Sequence, residues 1–382
     1  MASANFRLIS LQLAEIAKLI SILFRLSIEP LSAVDMSKTI LKNAKAKRVL
    51  VLLHPDLIPP EKATKEVLDK AIWRAEFDVI RTLKRMGHSV FIQGVYDDLT
   101  VIRKAVDSFK PHVAFNLLEE FNGEATFDQN VVSYLELLGV PYTGCNPRGL
   151  MLARHKDLAK KVLTYHNIST PEFQIFPVSQ GYRKPDIEFP LFVKSTTEEA
   201  SFGITHASIV RTEKALKERV RFINEEVGTD AIAERYIEGR ELYVGVLGNV
   251  KMDLFPVWEL VFRKISERTP RIATTKVKFD PEYRKKYGIT SLRARLPETT
   301  ITRVHKMSRQ VYQILGLTGF ARLDFRLEKS GRIYFLEANP NPHVGEDEDF
   351  AQSALKAGIS YPELLDRILR LGIRWQTSRI AS

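Results

Sequence analysis

The stretch from Gly319 to Leu327 alternates in character, so that Phe320, Arg322, Asp324 and Arg326 share one face of a strand while Ala321, Leu323, Phe325 and Leu327 share the other. A polar turn from Glu328 to Arg332 leads into a second strand, Ile333 to Asn339, in which Glu337 and Asn339 again stand two residues apart. A hairpin brings Asp324 close to that pair. Side-chain oxygens of Asp, Glu and Asn converging in this way suit Mg²⁺, which takes hard oxygen ligands and keeps positions open for phosphate oxygens. The bland alternative is a solvated hairpin face. Against it stands the position of Glu337, which ends an apolar run from Ile333 to Leu336 where an unpaired carboxylate is costly. Lys194 poses the same question. It closes the apolar run Leu191 to Val193 and needs a partner or a function there.

These side chains need a scaffold, and the chain supplies the signals of one. Arg48 to His54 is a short branched apolar run of the kind that forms a buried parallel strand. A helical pattern follows from about Glu66 to Met86, closed by Gly87. His88 to Ile92 reads as a strand, Asp98 to Phe109 as a helix, and Val113 to Asn116 as a third strand after Pro111. Strand and helix in alternation imply a parallel sheet covered on both faces. The half is Rossmann-like, yet no Gly-x-Gly-x-x-Gly follows the first strand, so it is not read as a dinucleotide site. From Lys156 a helix runs to about Tyr165, and Pro171 opens a loop. Strands are expected at Phe189–Lys194 and Ala231–Tyr236, with a helix near Glu213–Glu226 between them. Leu242–Leu247 and Val250–Leu254 pair as a hairpin through Gly248 and Asn249. Residues 263–297 are polar and aperiodic, as a long mobile loop is, and a helix at Ile301–Leu315 precedes the acidic hairpin.

The 382 residues have room for two or three domains, and 45% hydrophobic with 27% charged residues is ordinary for a globular chain. No run approaches the roughly 20 apolar residues of a membrane span. The single cysteine, Cys145, excludes an internal disulfide framework and a multi-cysteine zinc site. It sits in a turn-like stretch without a neighbouring histidine and reads as a plain loop residue, in a chain suited to a reducing cytoplasm. The net charge of +11 raises nucleic acid as a partner. Its distribution argues otherwise, because residues 1–50 alone carry a net +5 and no basic stripe interleaved with aromatics appears. Residues 1–45 lack a clear signal-peptide pattern. An amphipathic surface helix, a helix lying on a membrane or partner, or a start at Met36 all remain open for them.

Thr318-Gly319-Phe320-Ala321-Arg322-Leu323-Asp324-Phe325-Arg326, followed by Phe335-Leu336-Glu337-Ala338-Asn339-Pro340-Asn341-Pro342, resembles the carboxy-terminal signature of D-alanine–D-alanine ligases and their ATP-grasp relatives. Gly139 to Gly144, His155 to Lys161, Pro190 to Lys194 with Ser201 to Gly203, and Ala233 to Leu242 resemble other segments of that family, in its order, from about residue 48 to 373. The resemblance implies an α/β fold: a Rossmann-like (pre-ATP-grasp) domain at 46–145, then a two-subdomain ATP-grasp fold at 146–235 and 236–375, behind an extension at 1–45. It implies an ATP- and Mg²⁺-dependent ligase, with Mn²⁺ an allowed substitute, that joins a carboxylate to an amine through an acyl phosphate. By it, Asp324, Glu337 and Asn339 hold the metal, and Arg322 stabilises the transferred phosphate and the tetrahedral intermediate. Lys156, Lys194 and Ser201 face the ATP phosphates. Glu234 holds the adenine with the backbone of Arg235 and Ile237, Glu241 binds the ribose, and Lys278 is the lysine that a mobile loop brings to the γ-phosphate. ATP and small amino-acid or peptide-like substrates are the implied partners, and the family's dimers, built through its first domain, are a further implication that nothing in these residues establishes. A non-catalytic ATP-binding module is the rival from another class, disfavoured by the full metal set.

The departures concern the amino-acid substrates. His54 to Pro60 replaces the family's early acidic-histidine-serine loop, Ala200 stands for a serine of the phosphate loop, and Phe279 for a tyrosine of the mobile loop. His343 takes the place of a glycine at the oxyanion, and Glu348 that of a serine at the second substrate's carboxylate. The acidic run Glu346 to Asp349 is expected to repel a free carboxylate and attract an amine. Individually, Lys156 as a solvated surface charge and Glu241 as a surface ion pair with Arg240 stay open as alternatives.

Overall fold

The computed structural model describes residues 46–198, 203–266 and 269–381. The expected extension 1–45, with Met36, lies outside the described residues, as do Ala200 and Ser201.

The first sheet has three parallel strands, β1 (Arg48–Leu53), β2 (Ser89–Gly94) and β3 (Val113–Asn116), in the order β2-β1-β3. Every residue of β1 after Arg48 is fully buried, because both faces are covered. Val49, Val51 and Leu53 share a core with Val79 and Leu83 of the helix Arg74–Arg85 and with Leu364, Leu365 and Ile368 of the last helix, Tyr361–Ala381. Leu50 and Leu52 pack with Ile102 of the helix Thr100–Phe109 and Val131 of the helix Asp128–Leu137. The end of the chain thus returns to the sheet that starts it. Gly87, at φ +81°, lets the amides of Gly87 and His88 bond the carbonyls of Lys84 and Leu83 and so ends its helix as expected. The single helix expected over Glu66–Met86 is instead two, Lys65–Leu68 and Arg74–Arg85. Arg74 bonds Asp69 across the break at 2.9 Å, a spacing of five that a continuous helix does not bring together.

The second sheet is antiparallel, with β4 (Phe173–Phe176), β5 (Leu191–Ser195), β6 (Ile209–Val210) and β7 (Ala231–Arg235) in the order β4-β7-β5-β6. Leu216 and Val220 of the helix Glu213–Phe222 close one face over Leu191, Val193, Ala231 and Ala233. That helix ends four residues earlier than expected and passes through a π turn to Gly228. The strand β4 is too short to show a period and was not anticipated.

The third sheet holds β8 (Gly239–Gly248), β9 (Met252–Leu254), β10 (Trp258–Phe262), β11 (Ile289–Arg293), β12 (Phe320–Glu328) and β13 (Ile333–Pro340). Its path is β11-β10-β8-β12-β13, with β9 paired to β8. The β8–β9 turn is Asn249 to Lys251, one residue longer than expected, since Gly248 pairs with Met252. The segment 263–297 is not one loop. It carries the helices Thr275–Phe279 and Pro281–Tyr287 and the strand β11, because Val277, Tyr283, Tyr287 and Ile289 pack on Tyr243, Trp258 and Leu260.

Two contacts fix the hairpin β12–β13 against the first sheet. Gly319, at φ +70°, lies so close to Gly144 that a Cβ there would collide with the Gly144 carbonyl oxygen. Asn341 accepts from the Cys145 amide at 2.8 Å. No described helix is long and apolar enough to cross a membrane.

Candidate active site

A cleft enclosing about 670 Å³ of space opens between the second and third sheets. Period-two geometry supplies its walls. On the second sheet Phe192 lies across from Glu234, and Lys194 follows Phe192 on the same face. On the third, β12 pairs Arg326 with Glu241 and Asp324 with Tyr243 on one side, and Arg322 with Asn339 and Asp324 with Glu337 on the other. Directly opposed residues share a face, so all seven side chains point to one side. A bulge at Leu336 makes this possible. Ile333 and Phe335 pair with Leu327 and Phe325 of the apolar face, whereas Glu337 pairs with Asp324. The extra residue turns the rest of β13 over, so that Glu337 leaves the core side for the cleft.

Of the fourteen residues singled out in the sequence, Lys194, Glu234, Arg235, Ile237, Glu241, Lys278, Arg322, Asp324 and Glu337 line this one cleft. Asn339 joins them by donating to Asp324 at 3.1 Å. Lys156 is buried rather than solvated, and its Nζ donates to the Glu198 carbonyl at 2.6 Å. Its charge still helps to hold down the pKa of Glu337. Glu241 is likewise no surface pair with Arg240. It accepts from Tyr243 at 2.8 Å and Arg326 at 2.9 Å, while Arg240 forks onto Glu259. Lys278 reaches the cleft from the helix Thr275–Phe279, whose Thr275 amide bonds the Ile204 carbonyl at 3.2 Å and ties this segment to the opposite sheet. His343 and Glu348 lie elsewhere. His343 faces Glu119 at 3.3 Å beyond the end of β13, and Glu348 precedes the helix Asp349–Lys356 as its N-cap without a side-chain cap bond. The acidic run around Glu348 is partly neutralised, since Glu346 pairs with Arg81 at 3.3 Å and Asp347 with Arg74.

Charge is balanced tightly here. Arg322 grips both Asp324 oxygens, at 2.8 and 2.9 Å, and stacks over the Tyr243 ring. Burial pushes Asp324 up to about 6 in spite of that partner. Burial would also raise Glu337, but Lys194, Lys156, Lys278 and Arg322 outweigh it and hold the carboxyl well below its usual range. Burial alone would lower Lys194, yet Glu234 at 3.7 Å and Glu337 at 3.3 Å keep it firmly protonated. For Lys278, burial and then Arg322 lower the pKa. Two carboxylates and one amide converge, and no third His, Cys, Asp or Glu joins them among the described residues. That donor set of hard oxygens, with few protein ligands, fits Mg²⁺ better than zinc or copper.

Sequence reasoning assigned no role to two residues that shape the cleft. Lys160, fully buried, contacts Glu234 at 3.2 Å, and its signal was the spacing of four from Lys156, which puts both on one helix face. Arg326 binds Glu241 and the carbonyls of Ile237 and Arg271, and its signal was its place on the polar face of β12.

Comparison with known proteins converges on one group. The family described as D-ala D-ala ligase C-terminus matches residues 163–370. A D-alanine–D-alanine ligase of Desulfotalea psychrophila is 30% identical over 285 residues, 73% of this chain and 84% of that one. An uncharacterized protein, y4sG, of Sinorhizobium fredii is 28% identical over 302 residues, 78% of this chain and 86% of its own. The crystal structure of the D-alanine–D-alanine ligase from Bacillus anthracis complexed with ATP superposes with a TM-score of 0.68 at 23% identity, over 87% of this chain and all of that one, a likeness of fold. With more than half of its residues matched by the family and an ATP-grasp architecture around the cleft, the chain belongs to the D-alanine–D-alanine ligase family.

Proposed function

We propose that the cleft binds ATP and that the chain is a carboxylate–amine ligase working through an acyl phosphate. The observation that carries this reading is the meeting of Lys194, Lys278 and Arg322 with Asp324, Glu337 and Asn339 in one half-enclosed space. Phosphoryl transfer spreads negative charge over oxygens, and fixed cations in a dry site stabilise it most. In this reading Lys156 and Lys194 take the ATP phosphates, with Ser201 beside them. Glu234 and the backbone of Arg235 and Ile237 take the adenine, and Glu241, oriented by Arg326 and Tyr243, the ribose. Asp324, Glu337 and Asn339 would hold Mg²⁺, or Mn²⁺, which supplies charge neutralisation at the phosphates when bound. Arg322 and Lys278 stabilise the phosphoryl group as it moves to the carboxylate. The segment from Ile272 to Lys278, fastened to Ile204, shields the acyl phosphate from water until the amine attacks. The substrates are small amino-acid or peptide-like molecules, with His343 and Glu348 as candidate contacts, and the site of action is the cytoplasm, where ATP is.

The test is ADP release from Mg²⁺-ATP across D- and L-amino acids and short peptides, with mass spectrometry of the products. Amide formation that disappears in Glu337→Gln supports the reading. ATP binding without product for any acid and amine overturns it in favour of a binding module.

A further inference from the structure

The chain's charge is not spread evenly. Residues 263–297 hold eleven basic and three acidic residues, a net +8 within a chain of net +11. In the fold this segment supplies a free edge of the third sheet, since β11 pairs with β10 on one side and no further strand joins it among the described residues. Hydrogen bonds show which way its backbone points. The Gly288 carbonyl accepts from the Arg263 amide at 3.3 Å, and the Ala294 amide donates to the Val257 carbonyl at 2.8 Å. Alternate residues from Gly288 to Ala294 therefore face β10. The amides and carbonyls of Ile289, Ser291 and Arg293 point the other way, and none of them bonds a described backbone group beyond the sheet. The five residues of this edge span about 16 Å.

Exposed cations stand at both of its ends. At the start, Arg263 and Lys264 run alongside Gly288, with the Lys264 amide bonded to the Tyr287 carbonyl at 3.0 Å, and Lys285 and Lys286 close the preceding helix. At the far end Arg293 finishes the strand and Arg295 follows it. All six are exposed, and none is paired with a carboxylate among the described residues. The one acid of β10, Glu259, is already gripped by Arg240 through both oxygens. A helix C-terminus, which favours positive charge, accounts for Lys285 and Lys286. It does not account for the other four, which come from strand ends.

We propose that the β11 edge docks an extended acidic segment of another polypeptide, which pairs its backbone with Ile289, Ser291 and Arg293 and its carboxylates with the cations at either end. A second copy of this edge brings the same charges and is repelled, so the occupant is not this chain. Nucleic acid and a lipid surface answer the charge but offer no strand to meet the outward row of amides and carbonyls. Ile289 shares a small core with Val277, Tyr243 and Trp258, so the docked segment lies against the packed unit that carries Lys278.

The test measures binding of fluorescein-labelled (Glu-Thr)5 to the full chain by anisotropy, against (Gln-Thr)5, a single-stranded DNA of equal charge, and (Glu-Thr)5 methylated on alternate backbone nitrogens. Expected is binding of the acidic peptide at least about tenfold tighter than of the glutamine peptide or the DNA, with a similar loss on methylation, which removes donors and keeps every charge. Lys285→Glu with Lys286→Glu is expected to weaken the peptide at least about tenfold and to leave ATP binding within about twofold. Ser291→Pro deletes an outward donor, a change an edge strand tolerates, and is expected to weaken the peptide without altering its salt dependence. If the proline variant does not fold, the methylated peptide on the unaltered chain answers the same question. Undetectable binding of (Glu-Thr)5 overturns the proposal, as does methylated peptide that binds equally well or DNA that binds more tightly. Binding is read without turnover, so each of these outcomes stands apart from the fate of the ligase reading.

Discussion

Glu234 contacts two buried lysines, Lys160 at 3.2 Å and Lys194 at 3.7 Å, and all three side chains are at most 7% exposed. Glu234→Gln leaves Lys160 without its carboxylate, while Lys194 keeps Glu337 at 3.3 Å. Removing one partner of a buried pair costs about 3–5 kcal/mol. The lower end applies here, because burial already lowers the Lys160 pKa and the lysine can shed its proton instead of staying charged. Lys160→Met is expected to cost a similar amount, roughly 3 kcal/mol, by leaving Glu234 to Lys194 alone. In the double variant neither orphan remains. Its loss is expected to fall short of the sum of the single losses by at least about 1.5 kcal/mol. Urea unfolding of the four proteins, at constant m, reads this directly. ATP titration of the same set is expected to show weaker binding wherever Glu234 is lost. Additivity within about 0.5 kcal/mol refutes the idea that Lys160 and Glu234 form the supporting pair of the nucleotide site.

Lys278→Gln is expected to lower kcat by about 10²–10³ while ATP affinity changes little, since the lysine is assigned to the moving phosphoryl group; steady-state kinetics with ATP titration would contradict this by showing loss of affinity alone. Burial pushes the Cys145 thiol up to about 12, so the folded chain is expected to resist thiol reagents that label the unfolded chain at once. Fast labelling of the folded chain reverses that assignment. Burial, reinforced by Lys47, lowers the His88 pKa, so the unfolded chain binds a proton that the folded chain refuses. Stability is then complete above the ordinary histidine pKa of about 6.5 and falls as pH drops below it, by at most about 1.4 kcal/mol per unit for one proton. Melting curves between those conditions are expected to flatten in His88→Asn.

Much of the site was legible because its residues sit on strands, where a period of two announces which side chains share a face. The alternation from Phe320 to Leu327 placed Arg322, Asp324 and Arg326 together, and the structure does the same. The second strand shows the limit. Simple alternation puts Phe335 and Glu337 on one side, yet Phe335 packs in the core while Glu337 pairs with Asp324, because Leu336 is bulged out. A bulge is imposed by the partner strand, and nothing in the local residues declares it. Long-range packing explains the other differences. Val277, Tyr283 and Ile289 sit in a polar surrounding without a period and find order only against Tyr243 and Trp258, which lie on other strands. The acidic run Glu346–Asp349 reads as free charge until Arg74 and Arg81, about 270 residues earlier in the chain, are seen to hold part of it.

The acyl phosphate is the centre of the account, and oxygen tracing tests it. With an accepted acid substrate carrying ¹⁸O in its carboxylate, together with amine and Mg²⁺-ATP, the phosphate released with each amide bond is expected to contain one ¹⁸O atom taken from that carboxylate. Release of unlabelled phosphate alongside ADP means that water, and not the carboxylate, receives the phosphoryl group, and it would contradict the ligase mechanism at its first step.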